Sequence, residues 1–180
     1  MFIPALFLIY HQKYLTINKN SVNSYKFSKF DVIITIGTII FTQLIGVLTS
    51  LTYEYFIPEH ILKIIKDFGG QEELIKMLSF ENGNIFIIIL SICIGPAIAE
   101  EFIFRGYLQK NLTKFYSPKK SIILTSVVFS LIHLNVFGVF GIFLLSCVIG
   151  YYKEKTNSLL MPIIIHFSNN LFSVILSSFI

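Results

Sequence analysis

Glu100, Glu101, Arg105, His133 and His166 stand inside runs of sequence that are otherwise apolar enough to span a membrane. A charged side chain at the bilayer centre costs about 2.5–3.5 kcal/mol on insertion scales, and such residues usually face a bundle interior and mark a functional site. Arg105 follows Glu101 by four residues, so the two share a helix face and can pair as ions. Glu100 lies about 100° around the same helix, without that partner, and is left as a free carboxylate for general-base chemistry. His133 closes the run Phe129-Ser130-Leu131-Ile132-His133, with Asn135 close behind, and His166 precedes Asn170 by one helical turn. A neutral imidazole can position a water, donate a hydrogen bond to an oxyanion or bind a metal. An Asn amide can donate to an oxyanion. A carboxylate, two imidazoles and an amide around one water suit hydrolysis of a peptide bond. Glu100 would take the proton from water, and His166 and Asn170 would stabilise the developing negative charge. Singly, His133 and Asn170 also suit interhelical hydrogen bonding. Asn169 is an alternative to Asn170 that lies about 60° off the His166 face. No serine stands out among many as a nucleophile.

These residues need helices to carry them. Apolar runs predict membrane-spanning helices over about 31–57, 84–112, 119–135, 137–152 and 158–180. Residues 59–82 are the least hydrophobic stretch, contain Gly69-Gly70 and read as an amphipathic, partly helical loop. The apolar stretch 1–10 is too short to span as a helix, which takes about 20 residues, and suits the interface. It has no basic segment before it and no small-residue cleavage site after it, so no cleavable signal peptide is expected. The expected organisation is an N-terminal interfacial segment with a basic cytoplasmic stretch (1–30), a first span with its extracytoplasmic loop (31–83) and a helical core (84–180).

Composition supports a polytopic all-α membrane bundle with a polar cavity inside the bilayer. The chain is 54% hydrophobic and 13% charged, against about 25% charged for a soluble domain, with a mean hydropathy of +0.76. A net charge of +4 does not imply nucleic acid, because the lysines sort between the apolar runs. Lys13, Lys19, Lys26 and Lys29 precede the first helix, Lys110, Lys114, Lys119 and Lys120 join the second to the third, and Lys153 and Lys155 follow the fourth. The 58–83 loop is net acidic and the 135–137 turn is uncharged. The positive-inside rule then places 13–29, 110–120 and 153–157 in the cytoplasm and the C-terminus outside. Tyr53, Tyr55, Tyr151 and Tyr152 read as interfacial anchors. Cys93 and Cys147 read as small buried hydrophobes.

In chain order the motifs are Glu100-Glu101-Phe-Ile-Phe-Arg105, Phe129-Ser-Leu-Ile-His133 and His166-Phe-Ser-Asn-Asn170. Glu-Glu-x-x-x-Arg, Phe-x-x-x-His and His-x-x-x-Asn on successive membrane helices resemble the CPBP (CAAX protease and bacteriocin-processing) intramembrane proteases. That group includes the CAAX prenyl endopeptidases of the Rce1 type and the bacterial Abi proteins. The resemblance covers about 85–180. It implies a helical membrane fold whose motifs meet at a cavity, with Glu100 and His133 activating water and His166 and Asn170 forming the oxyanion site. Glu101, Arg105 and Phe129 then serve as structural support. The chain lacks His-Glu-x-x-His, the spacing of a helical zinc site, so no cofactor is favoured. If a divalent metal such as zinc is used, Glu100, His133 and His166 are its ligands.

The reading is a multi-pass intramembrane endopeptidase acting on a membrane-associated protein or peptide. The Ile-, Lys- and Asn-rich composition points to a bacterial cytoplasmic membrane and to peptide or bacteriocin self-immunity. Two rivals remain: a non-catalytic immunity or assembly factor, and a small proton-coupled transporter. Partners are the substrate and the lipid bilayer, with no nucleic acid, and the sequence does not determine the oligomeric state.

Overall fold

The structure is a computed structural model and describes residues 28–63 and 85–177. The expectations for 1–27, including the interfacial stretch 1–10 with Lys13, Lys19 and Lys26, lie outside the described residues, as do those for 64–84 and 178–180.

Every described element is a helix. Helix α1 (Lys29–Phe56) starts at a capping box, in which Ser28 accepts from the Asp31 amide while the Asp31 side chain accepts from the Ser28 amide. Residues 59–63 are helical. Helix α2 (Ile85–Leu112) is one continuous rod in which α-helical turns alternate with two π-helical segments, Ile89–Ile94 and Phe102–Gln109. Helix α3 (Pro118–Ile132) starts with Ser117 as N-cap and Pro118 in the first turn. Helix α4 (Val139–Thr156) ends on Asn157 in the left-handed region, at φ 48°. Helix α5 (Leu160–Ser177) completes the described chain.

Two boundaries differ from the sequence reading. Helix α3 stops at Ile132 rather than 135, because Leu134 takes φ 51° and turns the chain. His133 is therefore the C-cap of α3 and not a residue of its interior. Helix α4 runs to Thr156, so Lys153 and Lys155 sit in its last turn, where cations oppose the helix dipole.

Helix α4 is central and packs against α1, α2, α3 and α5. Its approach to α1 requires glycine at 141, since a Cβ there would lie 2.8 Å from the Thr42 carbonyl oxygen. The core of the bundle is Leu145, Ile149, Tyr152, Met161 and Ile165. Tyr152 is fully buried and donates to Asp31 Oδ1 at 3.0 Å, which corrects its reading as an interfacial anchor. Asp31 is an acceptor held inside the bundle, and a phenol is long enough to reach it. Tyr151, its neighbour, is half exposed.

Polarity is inverted relative to a water-soluble bundle. Glu100, Glu101, Arg105, Gln109, Ser121, Thr125 and Ser146 are buried, while Ile33, Ile36, Ile40, Phe41, Leu44 and Leu51 of α1 are exposed. Contiguous apolar surface of this kind marks contact with a partner or a lipid phase. Among the described residues, helix α1 alone is long and apolar enough to cross a membrane, at 28 residues and mean hydropathy 2.2, by length and composition. The other predicted spans are shorter or broken by polar residues, so the five-span expectation reduces here to an all-helical bundle with one membrane-length helix.

Candidate functional site

The two carboxylates sit at the junction between an α-helical turn, Gly95–Glu101, and the π-helical segment Phe102–Gln109. Such π segments interrupt the regular ladder and are frequent at functional sites. Glu101 points into the bundle and is fully buried. Its Oε1 accepts from Arg105 Nη1 at 3.0 Å and from His166 Nδ1 at 2.7 Å. Arg105, also fully buried, donates its other terminal nitrogen to the Ser146 carbonyl at 3.1 Å and hydroxyl at 2.7 Å. Its guanidinium lies 4.7 Å from the centre of the Phe129 ring, a cation–π placement. Phe129 thus lies beside three site groups, with His133 at 4.5 Å and His166 at 5.8 Å between ring centres.

Glu100 points elsewhere. Its Oε2 lies 3.6 Å from His133 Nε2 and 3.8 Å from His166 Nε2, and has no hydrogen-bond partner. These distances are too long for direct hydrogen bonds and suit one small group between the three atoms.

The outer nitrogens of the two rings define the inner ones. His133 Nδ1 is 2.7 Å from the Phe129 carbonyl oxygen, which can only accept, so Nδ1 carries a proton. His166 Nδ1 faces the Glu101 carboxylate, which likewise accepts. In the neutral rings, both Nε2 atoms therefore present lone pairs toward Glu100 Oε2. Three acceptors face one gap, and a water placed there can donate to two of them. His133 is the most open of them, at 17% side-chain exposure against 7% for Glu100 and 5% for His166. The turn at Leu134 ends α3 at His133 itself; a left-handed leucine costs about 1–2 kcal/mol, and backbone strain of this kind collects near functional sites.

Asn170 lies one turn beyond His166 on α5 and donates its amide to the Ile92 carbonyl at 3.3 Å. Pro96 explains why that carbonyl is available, since proline has no N–H to return to the residue four back. One hydrogen of the Asn170 amide is committed there and the other is not. Asn169 faces α1, where its Oδ1 accepts from Gln43 at 3.4 Å and Thr42 at 3.5 Å. The structure thus brings Glu100, His133 and His166 around one gap, sets Glu101, Arg105 and Phe129 behind it, and leaves Asn170 one turn away on α5. Asn135 is a turn residue whose Oδ1 accepts from the Gly138 amide at 2.8 Å.

Sequence reasoning missed Ser146, which holds Arg105, and Gln109, which donates to the Gly150 carbonyl at 3.1 Å and to Glu154 at 2.8 Å. Gln109 had a signal, since Glu101, Arg105 and Gln109 continue one helix face at spacings of four. Ser146 had none, because one hydroxyl in an apolar run carries no direction.

The donor types of Glu100, His133 and His166 suit zinc, but among the described residues no group of three or more His, Cys, Asp or Glu is placed to hold a metal ion.

A family model described as type II CAAX prenyl endopeptidase Rce1-like matches residues 82–172, just over half of the chain and inclusive of every residue of this site. No curated protein and no solved structure matches the chain.

Proposed function

The chain belongs to the Rce1-like family of type II CAAX prenyl endopeptidases, and from that premise we propose that it is a glutamate-dependent intramembrane endopeptidase. The single observation that carries this reading is the unpartnered Glu100 Oε2 facing two imidazole nitrogens at 3.6 and 3.8 Å. A water in that gap donates one hydrogen to Glu100 and one to His133 Nε2. As its oxygen bonds to the peptide carbonyl carbon, Glu100 takes the proton. The C–N bond then breaks, and the proton passes from Glu100 to the departing amine.

The partners of the two rings support different roles. His133 rests on a neutral carbonyl and serves as an acceptor beside Glu100. His166 rests on the Glu101 carboxylate, which fixes its ring beside the gap, and its oxyanion role requires a proton on Nε2 at that step. The uncommitted hydrogen of Asn170 is the second donor. Glu101 and Arg105 hold His166 in place.

A multi-pass membrane setting is part of the proposal, supported by the buried polar centre and the apolar exterior. The substrate class is a membrane-associated peptide or protein tail, with a prenylated C-terminal tail the first to test given the family's description. The deciding experiment is a cleavage assay in proteoliposomes on prenylated and unprenylated membrane peptides, wild type against Glu100→Ala, with and without chelator. Cleavage by wild type alone, insensitive to chelator, is the expected result. Loss of cleavage with chelator would turn the three acceptors into metal ligands. No cleavage by wild type, with Glu100→Ala still functional in cells, would make the chain a binding factor.

A further inference from the structure

Below the carboxylates, α2, α3 and α4 meet in register. Arg105 and Gln109, one turn apart on α2, reach the carbonyls of Ser146 and Gly150, one turn apart on α4, each at 3.1 Å. Helix α3 buries Ser121, Thr125 and Phe129, spaced by four, against the same stripe. Phe129 stacks on Arg105, and Ile122 and Gln109 Oε1 both reach the open side of Gly150, where an added Cβ would meet them at 3.1 and 2.9 Å.

This seam is buried, and several of its polar atoms have no protein partner. Arg105 Nε, Gln109 Oε1, Thr125 Oγ1 and Ser121 Oγ have no hydrogen-bond partner, and neither has Glu101 Oε2 at its upper end. The two hydroxyls are telling. Thr35, Thr49, Thr156 and Ser173 each donate to the carbonyl four residues back, the common fate of a hydroxyl in a helix. Thr125 and Ser121 do not, so their hydroxyls are turned off their own backbone. Buried polar atoms are satisfied by protein or by ordered water, and one buried water takes about three such partners.

We propose that the seam between α2, α3 and α4 is a binding site for a file of ordered water, running from the Gln109–Glu154 end to the carboxylate pair. From Glu101 to Gln109 is eight residues, about two turns of the π-helical segment, long enough for several waters in series at hydrogen-bond spacing. Glu154 is hydrogen-bonded to Gln109 at 2.8 Å and is 25% exposed, so the lower end reaches the surface. The purpose of the file rests on the hydrolase reading: each peptide bond cut consumes one water, and Glu100 and His166 are buried.

The test is a structure of the wild-type protein at a resolution that shows ordered water, paired with cleavage rates for the double variant Thr125→Val/Ser121→Ala. Density within hydrogen-bond reach of both Thr125 Oγ1 and Gln109 Oε1 is expected, as is a kcat about ten-fold lower in the variant with KM unchanged. Thr125→Ser, which keeps the hydroxyl, should restore the rate. A dry seam, with the two hydroxyls turned onto the carbonyls of Ser121 and Ser117, overturns the proposal. So does full activity of the double variant. If the wild type cuts nothing, the protease reading falls, and the water density still decides the seam.

Discussion

Asp31 and Glu100 are both buried carboxylates, and the bundle treats them in opposite ways. Asp31 Oδ2 accepts from the amide and hydroxyl of Ser28 at 3.0 and 2.7 Å, and its Oδ1 accepts from Tyr152 at 3.0 Å and Lys155 at 3.2 Å. That carboxylate is saturated, and its effect is to join the start of α1 to the end of α4. Glu100 Oε2 has no partner and faces two ring nitrogens just out of reach. A buried polar atom left unmade is costly, and the fold keeps it where a reactant can complete it. The saturated carboxylate is architecture, and under the proposed function the unsaturated one is the base.

The contrast can be broken in four ways. Glu100→Gln should lower kcat by about 10²–10⁴-fold with little loss of thermal stability, because Glu100 Oε2 makes no hydrogen bond in the fold; a variant that still cuts would end the contrast. Arg105→Leu removes the cation from the buried Glu101 and should destabilise by about 3–5 kcal/mol, read by unfolding in detergent. An unchanged midpoint would mean that Glu101 does not depend on Arg105. Asp31→Ala should cost about 2–3 kcal/mol, through a lost helix cap and an orphaned Tyr152 hydroxyl, while kcat per folded molecule stays the same. A drop in kcat with folding intact would move Asp31 into the reaction. Smallest, Tyr152→Phe should cost about 1 kcal/mol and Tyr151→Phe nothing measurable, and equal effects would put Tyr152 back among the interfacial anchors.

The helices were legible because apolar runs in a mostly uncharged chain have one stable solution, while the caps that fix two of their starts were not read from the sequence. Ser28 with Asp31, and Ser117 with Pro118, start α1 and α3 within two residues of the expected positions. The end of α3 was not legible, since a left-handed leucine at 134 is imposed from outside its own neighbourhood. The π segments of α2 were equally hidden. Within the site, the Glu101–Arg105 spacing was readable from helix geometry alone. The hydrogen bond from His166 Nδ1 to that same carboxylate spans 65 residues of sequence and could not be read.

The sequence by itself determined that the chain is helical, that its ionisable groups lie within apolar runs, and that two adjacent carboxylates must face different ways, because periodicity and charge placement are local properties. The four-residue spacing also marked Glu101 as the paired carboxylate and Glu100 as the free one, and only the tertiary structure decided what else meets them. Arg105, itself held by Ser146 of α4, and His166 of α5 meet at Glu101, the two imidazoles stop short of Glu100, and the outer partner of each ring selects the nitrogen that faces the gap. Those are matters of where helices cross, and crossings are set by packing such as Gly141 against the Thr42 carbonyl, which no single segment contains.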